Sequence, residues 1–234
     1  MIRRLTAVLV SAALAAPAVA ADVLSSSYVD VAYLNSDIES DIASERVEGF
    51  RLGANIGLAK FLNFTGDYEQ RRFPDGRLGT GSAGFAWHTQ DPVWQVSLGA
   101  TYERVETDNN ANPAFDAIEE GYGAEAGFRW AFPHGEFHAA YRYMDFGQLD
   151  GTEVDFTGQR YGAGFDVQLS PWWSLVADYR VREHETKAPG ASADTLEFSE
   201  YTVGFRRYFA TDTDRRVRRG GVIAALFGGD ESAE

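Results

Sequence analysis

Trp94-Gln95-Val96-Ser97-Leu98-Gly99-Ala100-Thr101-Tyr102-Glu103 alternates without a break. One set of alternate positions, Trp94, Val96, Leu98, Ala100 and Tyr102, is wholly apolar with aromatic ends. The other set, Gln95, Ser97, Gly99, Thr101 and Glu103, is small or polar. Successive side chains of an extended strand point to opposite faces, so one face suits lipid and the other suits water or a polar lumen. A soluble sandwich also alternates, but its outward face is polar and rich in Lys, whereas this chain has only Lys60 and Lys187. The same pattern, crowded with Gly, Tyr, Phe and Trp, runs from Ser26 to Phe209, which is the signature of a membrane β-barrel.

The first residues set the compartment. Met1-Ile2-Arg3-Arg4 is a short positive leader, Leu5 to Ala16 is an apolar run too short to span a bilayer, and Ala18-Val19-Ala20 is a small-residue cleavage site. Residues 1–20 therefore read as a secretory signal whose removal leaves Ala21 or Asp22 first. The alternative, a retained anchor, fits less well because the run is short and ends at Pro17. The absence of cysteine excludes a lipoprotein anchor, disulfides, thiolate metal sites and Cys nucleophiles. Without Arg3 and Arg4 the 21 basic residues become 19 against 35 acidic ones, a net charge near −16, so nucleic acid is not an expected partner. Past the leader, no segment carries the roughly 18 consecutive apolar residues of a membrane helix.

Ten candidate strands follow: Ser27 to Asn35, Arg46 to Leu58, Phe61 to Phe73, Gly79 to Gln90, Val93 to Val105, Gly121 to Phe132, Glu136 to Phe146, Phe156 to Leu169, Trp173 to Arg182 and Phe198 to Phe209. Each can cross a bilayer at a barrel tilt, which takes about 9 to 11 residues. Connections alternate. Gly57 to Lys60, Asp91-Pro92, Pro133-His134-Gly135 and Ser170-Pro171-Trp172 are short, with Gly or Pro turn chemistry. Ser36 to Glu45, Glu106 to Glu120, Gly147 to Asp155 and Glu183 to Glu197 are long, with Pro74-Asp75-Gly76-Arg77 a shorter member of that set. Short turns on one rim and longer loops on the other is the outer-membrane pattern, and an even strand count returns both termini to the periplasmic side.

Period-two register assigns the faces. Lipid-facing candidates include Val31 and Tyr33, Leu52, Phe64 and Tyr68, Phe85 and Trp87, Val96 and Leu98, Phe128 and Trp130, Tyr141 and Tyr143, Tyr161 and Phe165, Tyr179, and Val203, with aromatics gathered at the ends as interfacial girdles require. The opposite face carries Asp30, Asp67, Glu69, Glu103, Glu125, Asp166, Asp178 and Glu200 together with Arg51, Arg71, Arg129, Arg142, Arg160, Arg180, Arg182 and Arg206. Charges inside a narrow barrel are costly alone and tolerable when paired, and Arg can bond two carboxylates. A salt-bridged core closing the lumen is the favoured reading, because barrels of about eight strands are filled by their own side chains. A narrow charged conduit is the other.

Catalytic chemistry finds little to build on. There are four His: His88 and His138 on inward positions, His134 in a turn, and His184 within Arg182-Glu183-His184-Glu185, which reads as a solvated rim residue. A nucleophilic site needs a hydroxyl beside a base that is itself oriented. No His-x-Ser run of the lipid A deacylase kind, Asp-x-His pair of the omptin kind or His-Glu-x-x-His metal spacing occurs. Gly79-Thr80-Gly81-Ser82-Ala83-Gly84 has a dinucleotide-loop look, but no helix follows, and glycines relieve crowding in a curved strand. No enzyme activity and no cofactor are expected.

The leader, the amphipathic strands and the last strand, Tyr201-Thr202-Val203-Gly204-Phe205-Arg206-Arg207-Tyr208-Phe209, together resemble the small outer-membrane β-barrel superfamily of opacity-type and OmpA-type transmembrane barrels, over residues 21 to 210. The resemblance implies that Tyr201, Gly204, Phe205 and Phe209 form the signal read by the barrel-assembly machinery. Arg207 stands where an outward aromatic is usual, and the chain continues beyond Phe209. Family members serve as adhesins, structural envelope proteins or narrow pores, and many have eight strands.

After Phe209, Arg215, Arg216, Arg218 and Arg219 precede an apolar patch, Val222 to Phe227. The tail, residues 211–234, reads as periplasmic, either loosely ordered or as a short helix touching the inner leaflet or the barrel mouth. The outer loops are acidic, with Asp37, Glu39, Asp41, Asp108, Asp116, Glu119, Glu120, Asp150, Glu153, Asp155, Glu185 and Asp194, so contact with anionic lipopolysaccharide would need divalent bridges. The expectation is an all-β, transmembrane, antiparallel up-and-down barrel of about ten strands, with eight the alternative. It is expected to be a monomer of the outer membrane with a structural or surface-contact, adhesin-like role, meeting lipid, lipopolysaccharide and an external ligand or host surface. A narrow low-conductance porin is the alternative function, and an outer-membrane hydrolase the third.

Overall fold

Alternation along every segment demands that each backbone N–H and C=O find a neighbouring strand, since lipid offers no hydrogen-bonding partner. In the computed structural model the chain meets this demand by closure. Ten antiparallel strands form a barrel in simple sequence order, β1 Ser27–Ser40, β2 Ala43–Ala59, β3 Leu62–Phe73, β4 Gly76–His88, β5 Trp94–Asn109, β6 Ala117–Phe132, β7 Gly135–Gln148, β8 Asp155–Gln168, β9 Trp173–Lys187 and β10 Asp194–Ala210. Strands β1 and β10 complete the ring, in register from Tyr28 opposite Tyr208 to Glu39 opposite Glu197, with a shift between Ser27 and Tyr28, so no sheet edge is left open. The structure describes residues 27–40, 43–59, 61–89, 93–109, 117–132, 135–149, 152–170 and 172–210. The signal segment, the tail with its four arginines, the turn His134 and the acids Asp41, Asp116 and Asp150 lie outside the described residues.

The strands are longer than the alternation predicts at the rim opposite the termini. Most of the stretch expected as a loop from Ser36 to Glu45 is strand, as are Glu106 to Asn109, Ala117 to Glu120, Glu183 to Lys187 and Asp194 to Glu197. Cross-strand pairing simply continues past the apolar band, and ion pairs on the outer face support it: Arg46–Asp37 at 2.7 Å, Arg77–Asp108 at 2.7 Å and Arg104–Glu120 at 3.0 Å. A bulge between Asp145 and Gly147 interrupts the β7–β8 ladder, with Gly147 at φ 72° and its N–H bonded to the Asp145 carboxylate at 2.9 Å.

Cross-strand partners share a face, so the ladders place the lipid surface. Leu62, Trp87, Leu98 and Ala126 form one outward row, and Phe64, Phe85, Ala100 and Ala124 another. Trp87, Trp94, Leu98, Trp130, Phe165 and Phe205 are all exposed. Tyr102, Tyr122, Tyr141, Tyr143, Tyr161, Tyr179 and Tyr201 form an exposed collar toward the far rim. Such a collar marks a membrane interface, and the acids Glu183 and Glu197 stand beyond it in the next pairing rows. Arg207 lies in the opposite interface, where its guanidinium sits 5.3 Å over the Trp173 ring and 5.7 Å from that of Phe209. This explains how a charge occupies an outward position in the last strand.

Candidate functional site

The interior is organised around β3, whose inward positions include Asp67, Glu69, Arg71 and Phe73. Glu69 faces Arg51 on β2 and Thr80 on β4. Its carboxylate accepts hydrogen bonds from Arg71 at 2.8 Å and from Arg180 and Arg182 across the lumen, and it lies 3.6 Å from Arg160 and 3.8 Å from Arg51. Arg71 also bonds Glu200 on β10. Glu69, Arg71 and Glu200 have fully buried side chains. Five arginines from four strands therefore converge on one carboxylate, with Glu200 as the second acceptor.

Asp67 begins a neighbouring cluster toward the rim that carries the termini. Arg160 holds it at 3.0 Å and Arg142 at 3.1 Å, while Ser82 donates to it at 2.6 Å. Arg142 reaches Glu103 at 3.1 Å and Glu125 at 2.7 Å, so one guanidinium ties β3, β5, β6 and β7. A third group joins Arg206 to Asp30 at 3.2 Å and to Asp166 at 3.3 Å, with its guanidinium 3.9 Å over Tyr28. Asp178 takes bonds from Arg51 at 3.3 Å, Thr202 at 2.9 Å and His138. Glycine makes room for these heads: a Cβ at Gly164 would stand 2.3 Å from Asp178 Oδ1, and one at Gly162 would stand 2.4 Å from Arg180 Cγ.

The sixteen charged residues singled out in the sequence all face this lumen, and fifteen of them fall into the three groups above. Arg129 stands apart, bonded to Glu136 and, at 3.4 Å, to Gln95. Sequence reasoning missed Glu136, although it shares parity with His138 and Arg142 on β7. It also missed Tyr208, an inward residue of β10 that donates to Asp166.

The salt-bridged layer separates two cavities. Toward the termini lies a polar space of about 190 Å³, bordered by Asn55, His88, Gln95, Ser97 and His138 among others. Toward the far rim lies a space of about 320 Å³, walled by Leu78, Val105, Phe156, Leu196 and Phe198, with His184 on its border. This apolar cup was not expected. Ile38, Val47 and Phe198 are buried together there, with Phe73 and Leu78 packed against them. The expectation for His184 is corrected as well: it is not a solvated rim residue but points inward, only 6% exposed, stacked on Phe156 at 5.3 Å and edge-on to Phe198 at 5.8 Å. Its neighbours Glu183 and Glu185 take the outward positions, which is why the local sequence reads as a polar rim.

Nucleophilic chemistry is not assembled at the His138–Asp178 pair, since Thr202 donates to the carboxylate and not to the imidazole. Among the described residues, no group of three or more His, Asp or Glu could hold a metal ion.

Residues 6–209 match the model of the outer membrane protein β-barrel domain. No curated protein matches. Among solved structures the chain is similar to Neisserial surface protein A, at 17% identity and TM-score 0.41 over 80% of this chain and 99% of that one. It is similar to the attachment invasion locus protein of Yersinia pestis, at 16% identity and TM-score 0.36 over 78% and 97%. A further likeness is to the outer membrane protease OmpT from Escherichia coli, at 7% identity and TM-score 0.44 over 78% and 96%.

Proposed function

The chain belongs to the outer membrane protein β-barrel domain family, and on that premise we propose that it is a closed, non-conducting barrel of the outer membrane with a structural, surface-contact role. One observation carries this reading: the full burial of Glu69, Arg71 and Glu200 in mid-lumen, where a conducting pore would keep its charged groups wet. With the termini toward the periplasm, the strand extensions and their acidic outer face stand clear of the membrane as the contact surface. Lipopolysaccharide would meet that face through divalent cations, because bare phosphate is repelled. Tyr201, Gly204, Phe205 and Phe209 serve as the assembly signal in this reading, and the barrel acts as a monomer without catalytic activity.

Planar-bilayer recording of the refolded protein tests it. Little or no steady conductance is the expected result. Large stable currents from the unmodified chain would reject the closed barrel and favour a narrow porin.

A further inference from the structure

Above the charged layer the inward face changes character. Leu78, Val105, Phe156, Leu196 and Phe198 wall a cup of about 320 Å³ beyond the tyrosine collar, on the aqueous side of the membrane interface. Apolar walls facing an aqueous mouth are unfavourable unless something apolar covers them. Packing alone covers part of this surface, since Ile38, Val47 and Phe198 are buried against one another. The remaining volume is about twice that of an engineered apolar cavity known to admit benzene, and it sits at the lower end of small-molecule sites.

A second feature points to a ligand with one polar group. His184 borders the cup, is only 6% exposed, and neither ring nitrogen has a hydrogen-bond partner among the described residues. Its ring is held on three sides by Phe146, Phe156 and Phe198. In its neutral form this buried ring offers both a lone pair and an N–H. An unpaired buried polar group is costly, and a matching hydroxyl would remove that cost. Asp194 also borders the cup, so a carboxylate or phosphate ligand meets repulsion there.

We propose that the outer mouth is a binding site for a small neutral molecule, an aromatic body of about two fused rings bearing one hydroxyl, with the rings in the apolar cup and the hydroxyl bonded to His184. The site ends on the Arg182–Glu69–Arg71 layer, so it captures such molecules without passing them inward. It does not depend on the surface-contact role.

The test uses 6-fluoro-2-naphthol and 2-fluoronaphthalene, which differ by the hydroxyl. Each is titrated by fluorine NMR against the full chain refolded in lipid nanodiscs, with empty nanodiscs subtracted to remove partitioning into lipid. Saturable binding of the naphthol is expected, about tenfold tighter than that of the naphthalene. His184→Phe keeps the ring packing and should abolish the preference while the naphthalene still binds. Leu196→Trp should fill the cup and abolish both. Folding of each variant is checked by its heat-dependent gel mobility, and if Leu196→Trp does not fold, His184→Phe decides alone. No saturable signal above empty nanodiscs would overturn the proposal. So would a preference that survives His184→Phe, or naphthol binding unchanged in folded Leu196→Trp.

Discussion

Replacing Glu69 by Ala removes the acceptor on which the closed layer is centred. Three arginine donors, Arg71, Arg180 and Arg182, bond this carboxylate. A hydrogen bond to a charged group contributes about 1.5 to 3 kcal/mol net, so the three set an upper bound of roughly 4.5 to 9 kcal/mol. Much of that is recoverable. Arg71 keeps Glu200, Arg182 keeps Thr80 at 2.9 Å, Arg160 keeps Asp67 and Arg51 keeps Asp178. The expected loss is therefore about 3 to 5 kcal/mol, the range for removing one partner of a buried ion pair. Glu125→Ala is the control: its carboxylate is partly exposed and takes only Arg142, so about 1 kcal/mol is expected. Urea titration in lipid vesicles, followed by tryptophan fluorescence, measures both. Equal costs, or a Glu69→Ala effect within about 0.5 kcal/mol of zero, would refute the idea that this layer holds the barrel together.

Leu98 is 62% exposed and lies midway between Trp94 and Tyr102 on β5; Leu98→Arg should destabilise by about 2 to 4 kcal/mol, as an arginine near the bilayer midplane does. Ser97→Arg, aimed into the polar cavity, should cost much less in the same titration, and equal costs would mean the assigned register is wrong. The unheated protein should migrate differently from the boiled one on a detergent gel, whereas identical mobility would argue against a closed barrel. Replacing Arg129, Arg142 and Arg160 together with Ala strands Asp67, Glu103 and Glu125; small cation-favouring currents should appear, while Glu69→Ala, which leaves arginines in excess within its own layer, should favour anions in any current it admits.

Most of the barrel is legible in the sequence because lipid imposes its rule at every second residue. Trp94, Val96 and Leu98 must be apolar, so period and strand number emerge together. The inward charges are legible by parity with them. The mouth is not, because beyond the tyrosine collar the rule inverts: Asp37, Glu183 and Glu197 face water on the outside, while Ile38, His184 and Phe198 point inward. Alternation continues there with its polarity reversed, which a search for apolar outward faces passes over as loop. Which arginine meets which carboxylate is also beyond sequence reading. Arg71 and Glu200 are 129 residues apart, and only closure of β1 on β10 brings them together.

A barrel in lipid has its apolar face turned outward, so the association of side chains in water that gives a soluble protein its core is not available to hold the opposite walls at a fixed spacing. Here charged cross-braces take that role. Arg180 and Arg182 on β9 reach Glu69 on β3, Arg142 on β7 reaches Asp67 on β3 and Glu103 on β5, and Arg71 on β3 reaches Glu200 on β10. Arg206 on β10 adds β1 and β8, Arg51 adds β2, Glu125 adds β6, and the hydroxyls of Thr80 and Ser82 add β4. Through these ion pairs and hydrogen bonds eight of the ten strands are tied directly to a strand that is not a hydrogen-bonded neighbour, and β1 and β6 join the network through the arginines of adjacent strands. Arginine suits the task because its planar fork serves several acceptors at once and stays charged in a dry interior. The same braces that fix the radius occupy the lumen, so in the closed-barrel reading proposed above mechanical closure and the absence of a path for ions have a single cause.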